Sequence, residues 1–298
     1  SDNNSDNFKI VMNDIPRTRP KEKKLLSSNS FNDDLEHLIS YYCKNNNIKY
    51  KQGLNEIITP FILLKFSVPY LPLSKIYRMF MGFINVFATN YYFDINCYSL
   101  KNSLHLLTIL MKYHSPILHN LFEKLMITPE MYGTNWLLTV FGGKLKINII
   151  YFLWNKLILG EDPLMVHFLI VAFFIFKKEL FLESEFLMVP AVITLISIDS
   201  IEEMEKIYQL ALELRENTPY SFRKLAHMLE IFKFHCEDPK KIYEKYKPDT
   251  FPALPIFPSE IFYICYKRST KCPDDRCKNC TKNMNNNNNE EYKNLGSE

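Results

Sequence analysis

The sequence predicts an all-α protein on two observations. The 298 residues include only 7 glycines, too few for a turn-rich β architecture. Leu, Ile, Phe, Lys and Glu also recur in long stretches whose apolar members fall at helical spacing. With 47% apolar and 14% aromatic residues, the chain can bury a substantial core. Its length allows one large domain or two smaller ones.

Residues 1–13 read as a polar N-terminal segment. Asp14 to Lys24 reads as a loop, because Pro16 and Pro20 discourage helix and bias Ile15 and Arg19 toward extended backbone. From there Phe31, Leu35, Leu38, Ile39, Tyr42 and Cys43 mark one face of a helix. Asn29 or Ser30 is available as its N-cap, and Asp33, Asp34 and Glu36 suit its positive end. Leu54 opens a second helix that runs to about Lys65, and further helices are predicted at about 73–91, 100–125, 131–141, 146–159, 163–178, 185–197, 200–216 and 219–235. Thr128-Pro129-Glu130 supplies a cap, a proline for the first helical position and an acidic first turn.

The apolar run Pro163–Phe176 contains His167 and falls short of the roughly 20 residues of a bilayer span, so it reads as a fully buried central helix and no transmembrane segment is expected. The helical domain is assigned to 14–236. Pro239, Pro248, Pro252, Pro255 and Pro258 then punctuate an extension over 237–271. Residues 272–298 form a Cys/Asn-rich tail, with an Asn285–Asn289 run predicted to be disordered.

A net charge of +3 and a pI near 8.3 are too mild to imply a nucleic-acid partner. The cationic stretch from Arg17 to Lys24 either meets an acidic partner or a phosphate, or is a solvated loop. The first residues, Ser1 to Asn7, lack the basic and apolar regions of a signal peptide, so a cytoplasmic setting is expected. Seven unevenly spaced cysteines do not form a secreted disulfide framework. Cys272, Cys277 and Cys280, with Cys265 as a fourth ligand, are a candidate zinc site; reduced thiols are the alternative, because the spacing lacks paired Cys-x-x-Cys knuckles. His114, His119 and His167 show no metal-ligand spacing, and Trp136 and Trp154 read as core residues.

Two short strings carry the functional reading: Asn13-Asp14-Ile15-Pro16-Arg17-Thr18 and Tyr50-Lys51-Gln52-Gly53-Leu54-Asn55. Each places one capable polar side chain beside residues that fix the backbone. Arg17 can neutralise charge on a phosphoryl group and Gln52 can orient water. Gln52 also precedes a helix N-terminus, which favours an anionic ligand.

Together, with one amphipathic helix between them, the strings resemble the TBC domain of Rab GTPase-activating proteins. That family carries Ile-x-x-Asp-x-x-Arg and Tyr-x-Gln-Gly motifs in this order. Asp14 and Arg17 match the first, and Tyr50, Gln52 and Gly53 the second. Ile127–Phe141 resembles the family's Thr-Pro-Glu and Trp-x-x-Thr-x-Phe segment. Two departures accompany these matches: Phe152 and Asn155 stand where an Arg-x-Trp-Asp core usually has Arg and Asp. Asp14–Pro20, Glu161–Pro163 and Thr218–Lys224 look like a rhodanese-linked TBC subgroup of Golgi adaptors.

The resemblance implies a multi-helix TBC fold and a Rab-family GTPase as partner. Arg17 and Gln52 would be supplied to it in trans, with Asp14, Tyr50 and Gly53 in support. No cofactor belongs to the chain itself; GTP and Mg²⁺ sit in the partner. The competing reading is a catalytically silent adaptor that binds a Rab, a golgin or a tethering protein in vesicle capture. The resemblance to the adaptor subgroup allows a cytoplasmic protein a peripheral place on Golgi or endosomal membranes.

Overall fold

A computed structural model describes residues 9–20, 22, 30–68 and 70–229, and in these residues regular structure is helical throughout. The first long helix, α1 (Ser30–Asn45), buries the predicted stripe of Phe31, Leu35, Leu38, Ile39, Tyr42 and Cys43. It packs on α2 (Leu54–Ser67), which in turn packs on α3 (Leu73–Phe87). Ile76, Phe80, Phe83, Ile84 and Phe87 of α3 recur every three or four residues and turn inward.

The chain continues through α4 (Thr89–Phe93), α5 (Tyr98–His114), α6 (Pro116–Lys124), α7 (Pro129–Thr139) and α8 (Ile147–Gly160). Next come α9 (Met165–Phe176), α10 (Lys178–Leu182), a 3-10 turn at Phe186–Met188, α11 (Val189–Leu195), α12 (Ile201–Glu216) and α13 (Tyr220–Met228). As predicted, α9 is central: every residue from Met165 to Phe174 is buried, and the helix packs on α5, α7 and α12. A helix apolar all round is stable in water only when neighbours cover every face. Its polar residue, His167, lies 2.6 Å from Ser103 Oγ, which lies 2.6 Å from the Tyr91 hydroxyl. Burial drives the His167 imidazole down to about 3, so the ring is neutral.

Several predicted helices are broken. The 100–125 element divides at Ser115, because Pro116 has no N–H for the preceding helix but suits the first turn of a new one. The 73–91 element ends at Phe87, where Ala88 leaves helical geometry at φ −146°. Residues 163–178 end as a helix at Phe176, and 185–197 resolve into the 3-10 turn and α11. Thr128 stands at the N-cap of α7 without a side-chain capping bond.

Where the family's Arg-x-Trp-Asp core usually stands, Trp154 is buried and donates its indole N–H to Val140 O at 2.8 Å. Asn155 is exposed, and half-buried Phe152 lies under the ammonium of Lys156 at 5.4 Å. Lys156 pairs with Glu205 at 3.2 Å and so joins α8 to α12. Glu161–Pro163 and Thr218–Lys224 meet through Asp162, which accepts from Arg215 Nε at 2.6 Å and from an Arg223 terminal nitrogen at 3.0 Å.

Cys43 and Cys97 are free thiols, and burial pushes Cys43 up to about 11. Among the described residues no cluster of His, Cys, Asp or Glu is arranged to hold a metal ion, and no helix is long and apolar enough to cross a membrane. Cys236, the candidate zinc ligands Cys265, Cys272, Cys277 and Cys280, the 237–271 extension and the 272–298 tail lie outside the described residues.

Candidate functional site

The Arg17 string folds differently from the expected loop. Residues 9–14 are helical and Ile15–Arg17 form one 3-10 turn. Pro16 is compatible with this because the opening of a helical turn requires no donor from it. Val11, within the segment read as polar, and Ile15 are both buried and seat the turn on the core. Thr18 closes it, its N–H donating to Asp14 O at 3.1 Å and its hydroxyl to the same oxygen at 2.8 Å.

Arg17 thereby projects outward. Its side chain is 71% exposed, whereas that of Asp14 is 7% exposed. The guanidinium donates to Asp14 Oδ1 at 2.5 Å and, through Nε, to Asn13 O at 3.0 Å.

Arg19, expected to be extended, instead adopts φ +44° and points inward, with its side chain 8% exposed. Its guanidinium donates to Glu22 at 2.8 Å, to Leu145 O at 2.8 Å and to Gly142 O. The contacts explain the backbone: only a turned-in Arg19 reaches the carbonyls that follow α7. Within the predicted cationic stretch, Arg19 is therefore a clamp between the Arg17 turn and the α7–α8 connection, not a free surface charge.

The Gln52 string is a turn before α2, and Gln52 is exposed on it. On one side Lys51 is anchored, its ammonium donating to Tyr91 O at 2.9 Å and to Asp94 O. On the other side Gly53 is the N-cap of α2 at φ +105°. A Cβ there would lie 3.3 Å from the Tyr92 hydroxyl and 3.4 Å from Thr139 Cγ2, and Tyr92 is itself held by donation to Leu138 O at 2.8 Å. Both the dihedral and the crowding call for glycine.

A buried hydrogen-bond network joins the two turns. The Tyr50 hydroxyl lies 2.9 Å from Asp14 Oδ2 and 3.0 Å from Asn55 Oδ1. Asn55 Oδ1 also accepts the Gly53 N–H at 3.1 Å, and Asn55 Nδ2 donates to Thr18 Oγ1 at 2.7 Å. Asp14 and Tyr50 thus connect Arg17 to the Gln52 turn, while Asn55 ties Thr18 to Gly53. Burial, reinforced by the neighbouring Asp14 carboxylate, raises Tyr50 far above the ordinary phenol range, so its hydroxyl keeps its proton and serves as a donor.

Asn55, Thr18, Lys51 and Arg19 were not singled out from the sequence as site residues. Asn55 did leave a signal: an Asn in the first turn of Leu54-Asn55-Glu56-Ile57-Ile58 is a polar residue in an apolar helix, and buried polar groups require partners. The assembled site offers an exposed guanidinium and an exposed amide on two turns cross-braced beneath the surface. It contains no nucleophile and needs none for charge neutralisation and water positioning.

The Rab-GTPase-TBC domain family profile matches residues 1–181. The TBC domain-containing protein kinase-like protein of Homo sapiens is 26% identical over 149 residues, covering 50% of this chain and 16% of that protein. Its Dictyostelium discoideum counterpart is 24% identical over 252 residues, covering 82% and 23%. Human TBC1 domain family member 2B is 24% identical over 168 residues, covering 56% and 17%. The chain thus spans between 16% and 23% of the length of these relatives. Among solved structures, the crystal structure of the Ypt/Rab-GAP domain of Gyp1p superposes with a TM-score of 0.60 at 18% identity, over 72% of this chain and 74% of that one. The matched profile covers more than half of the sequence, the all-α architecture agrees with it, and the chain belongs to the Rab-GTPase-TBC domain family.

Proposed function

We propose that this domain stimulates GTP hydrolysis by a Rab-type small GTPase, with Arg17 and Gln52 entering the partner's nucleotide site. The observation that carries the reading is the Asp14–Tyr50–Asn55–Thr18 network, which braces two turns bearing one exposed side chain each. Catalysis by positioning requires rigid support of this kind.

Arg17 would place its planar donors on the oxygens of the transferring phosphoryl group and offset the charge that builds there. Arginine fingers in general contribute about 10³ to 10⁵ in rate, or roughly 4–7 kcal/mol of barrier. Gln52 would hold the attacking water, its amide oxygen accepting from the water while its N–H donates. Asp14 would orient Arg17, Tyr50 would orient Asp14, and Gly53 would set the backbone of Gln52. GTP and Mg²⁺ would be the partner's.

The test is single-turnover GTP hydrolysis by a panel of purified Rabs with and without this chain. Acceleration of at least one Rab supports the reading. Binding of a GTP-loaded Rab, a golgin or a tether without acceleration of any Rab would replace it with the adaptor function, including the Golgi role suggested by the rhodanese-linked resemblance. In either case the partner would set a peripheral position at a membrane.

A further inference from the structure

A cavity of about 720 Å³ lies between α2, α3 and α8, and its lining is aromatic: Phe61, Phe83, Phe87, Tyr151 and Trp154. The rings form a continuous floor, with centroids 5.3 Å apart for Phe61 and Trp154, 4.2 Å for Phe83 and Trp154, and 4.8 Å for Phe83 and Phe87. Three further lining residues are solvent-exposed: Met79 at 39%, Val86 at 41% and Ile158 at 52%. Exposed apolar side chains around an aromatic floor are the mark of a surface that receives something. Arg78 and Asn155, also exposed in the lining, supply N–H donors. On the α3 side Gly82 leaves the space open, with no atom within 4 Å of where a Cβ would stand.

The same chain carries a matching ligand. Residues 251–258 read Phe-Pro-Ala-Leu-Pro-Ile-Phe-Pro, with prolines at 252, 255 and 258. A period of three matches the three residues per turn of a polyproline II helix, a conformation in which prolines so spaced fall on one edge. Such segments dock in aromatic-lined grooves, and their backbone carbonyls, lacking internal bonds, take donors from the groove. From this match we infer that the α2–α3–α8 groove is the docking site of the chain's own 251–258 segment.

Reach and concentration favour the chain's own segment over a foreign one. Glu161 lines the groove, and the adjacent Asp162 is bonded to Arg223 of α13, the last described helix. The described residues therefore end within about two turns of a helix anchored beside the groove. The 21 residues from 230 to 250 set an upper limit on reach of about 70 Å, so the length of chain suffices to bring 251–258 onto the groove. Because the segment belongs to the same chain, its encounter with the groove is intramolecular, which favours it over an unlinked peptide of the same sequence.

The experiment uses the full 298-residue chain with Phe257 replaced by p-benzoylphenylalanine, irradiated and mapped by mass spectrometry. The expected result is cross-linking within single chains to α2, α3 or α8. That cross-link should be lost both in Gly82→Glu, which places a charged side chain in open groove space, and in the triple variant Pro252→Ser, Pro255→Ser, Pro258→Ser. Thermal unfolding at an unchanged temperature confirms that each variant is folded. Cross-links formed only between two chains would assign the groove to a second copy and overturn the inference. Cross-links elsewhere, or a groove cross-link that survives both variants, would overturn it too.

Discussion

Tyr50→Phe removes one oxygen and nothing else, and the structure allows its cost to be worked out. The ring stays packed, since Tyr50 is buried and phenylalanine fills the same space. What disappears is the donor 2.9 Å from Asp14 Oδ2, on a buried carboxylate whose other oxygen is held by Arg17 at 2.5 Å. A hydrogen bond to a charged group contributes about 1.5–3 kcal/mol, and the retained neighbours limit relaxation, so a loss of about 2 kcal/mol is expected. For a domain of this size that lowers the melting temperature by about 4–8 °C. Asn55 Oδ1 keeps its bond to the Gly53 N–H, so the Gln52 turn should hold while the Arg17 turn loosens.

The assay is a double-mutant cycle of Tyr50→Phe and Asp14→Asn followed by thermal unfolding. If the hydroxyl serves Asp14, the two substitutions are non-additive by at least about 0.5 kcal/mol, as expected for residues in direct contact. An unchanged melting temperature in Tyr50→Phe, or full additivity in the cycle, would refute the bridge between the two turns.

Arg19→Ala should cost about 3 kcal/mol, because it strips donors from the carbonyls of Gly142 and Leu145 and leaves Glu56, 3.7 Å away, without its cation; denaturant melts measure this, and a cost under 1 kcal/mol would contradict the clamp. Gly53→Ala should cost about 1–3 kcal/mol from its φ of +105° and the fixed Tyr92 hydroxyl 3.3 Å from the new Cβ, readable as a lowered melting temperature with α-helical content retained. Alkaline pH should unfold the protein sharply. Burial raises Tyr42, Tyr91, Tyr92, Tyr132 and Tyr50, and raises Tyr151 to about 12, so the unfolded chain releases these protons near pH 10 while the folded one retains them. Stability therefore holds below about pH 10 and falls above it by roughly 1.4 kcal/mol per tyrosine per pH unit, and after the exposed tyrosines have ionised a second rise at the phenolate band should accompany loss of the helical signal. Full phenolate amplitude reached ahead of unfolding would contradict their burial, since only exposed tyrosines such as Tyr41 and Tyr70 should ionise in the folded protein.

The long periodic elements were readable in the sequence because burial and helical spacing coincide in them. The Phe31–Cys43 face of α1 and the all-apolar run of α9 are the clearest cases. The breaks were not readable where the periodicity continues across them. Leu110 and Leu118 are both buried on either side of Ser115-Pro116, so the pattern masks the joint. The Arg17 string misled in a different way. Local proline rules favour extended backbone, but burial of Ile15 and the bonds closing on Asp14 O select a helical turn. Arg19 was hidden for a reason no local pattern exposes, since the two carbonyls it clamps lie more than 120 residues away in sequence. Asn55 could have been recognised, because a polar residue amid Leu54, Ile57 and Ile58 is expensive unless it is bonded.

The most direct test of the central claim is the single-turnover hydrolysis rate of the most responsive Rab with the wild-type chain, Arg17→Ala and Gln52→Ala. Gln52→Ala changes an exposed side chain and should melt like wild type, whereas Arg17→Ala should stay folded with a lowered melting temperature, because the buried Asp14 carboxylate loses a donor at 2.5 Å. The account predicts that Arg17→Ala lowers the stimulated rate by about 10³-fold or more and that Gln52→Ala also lowers it severely. Full stimulation by folded Arg17→Ala would contradict it.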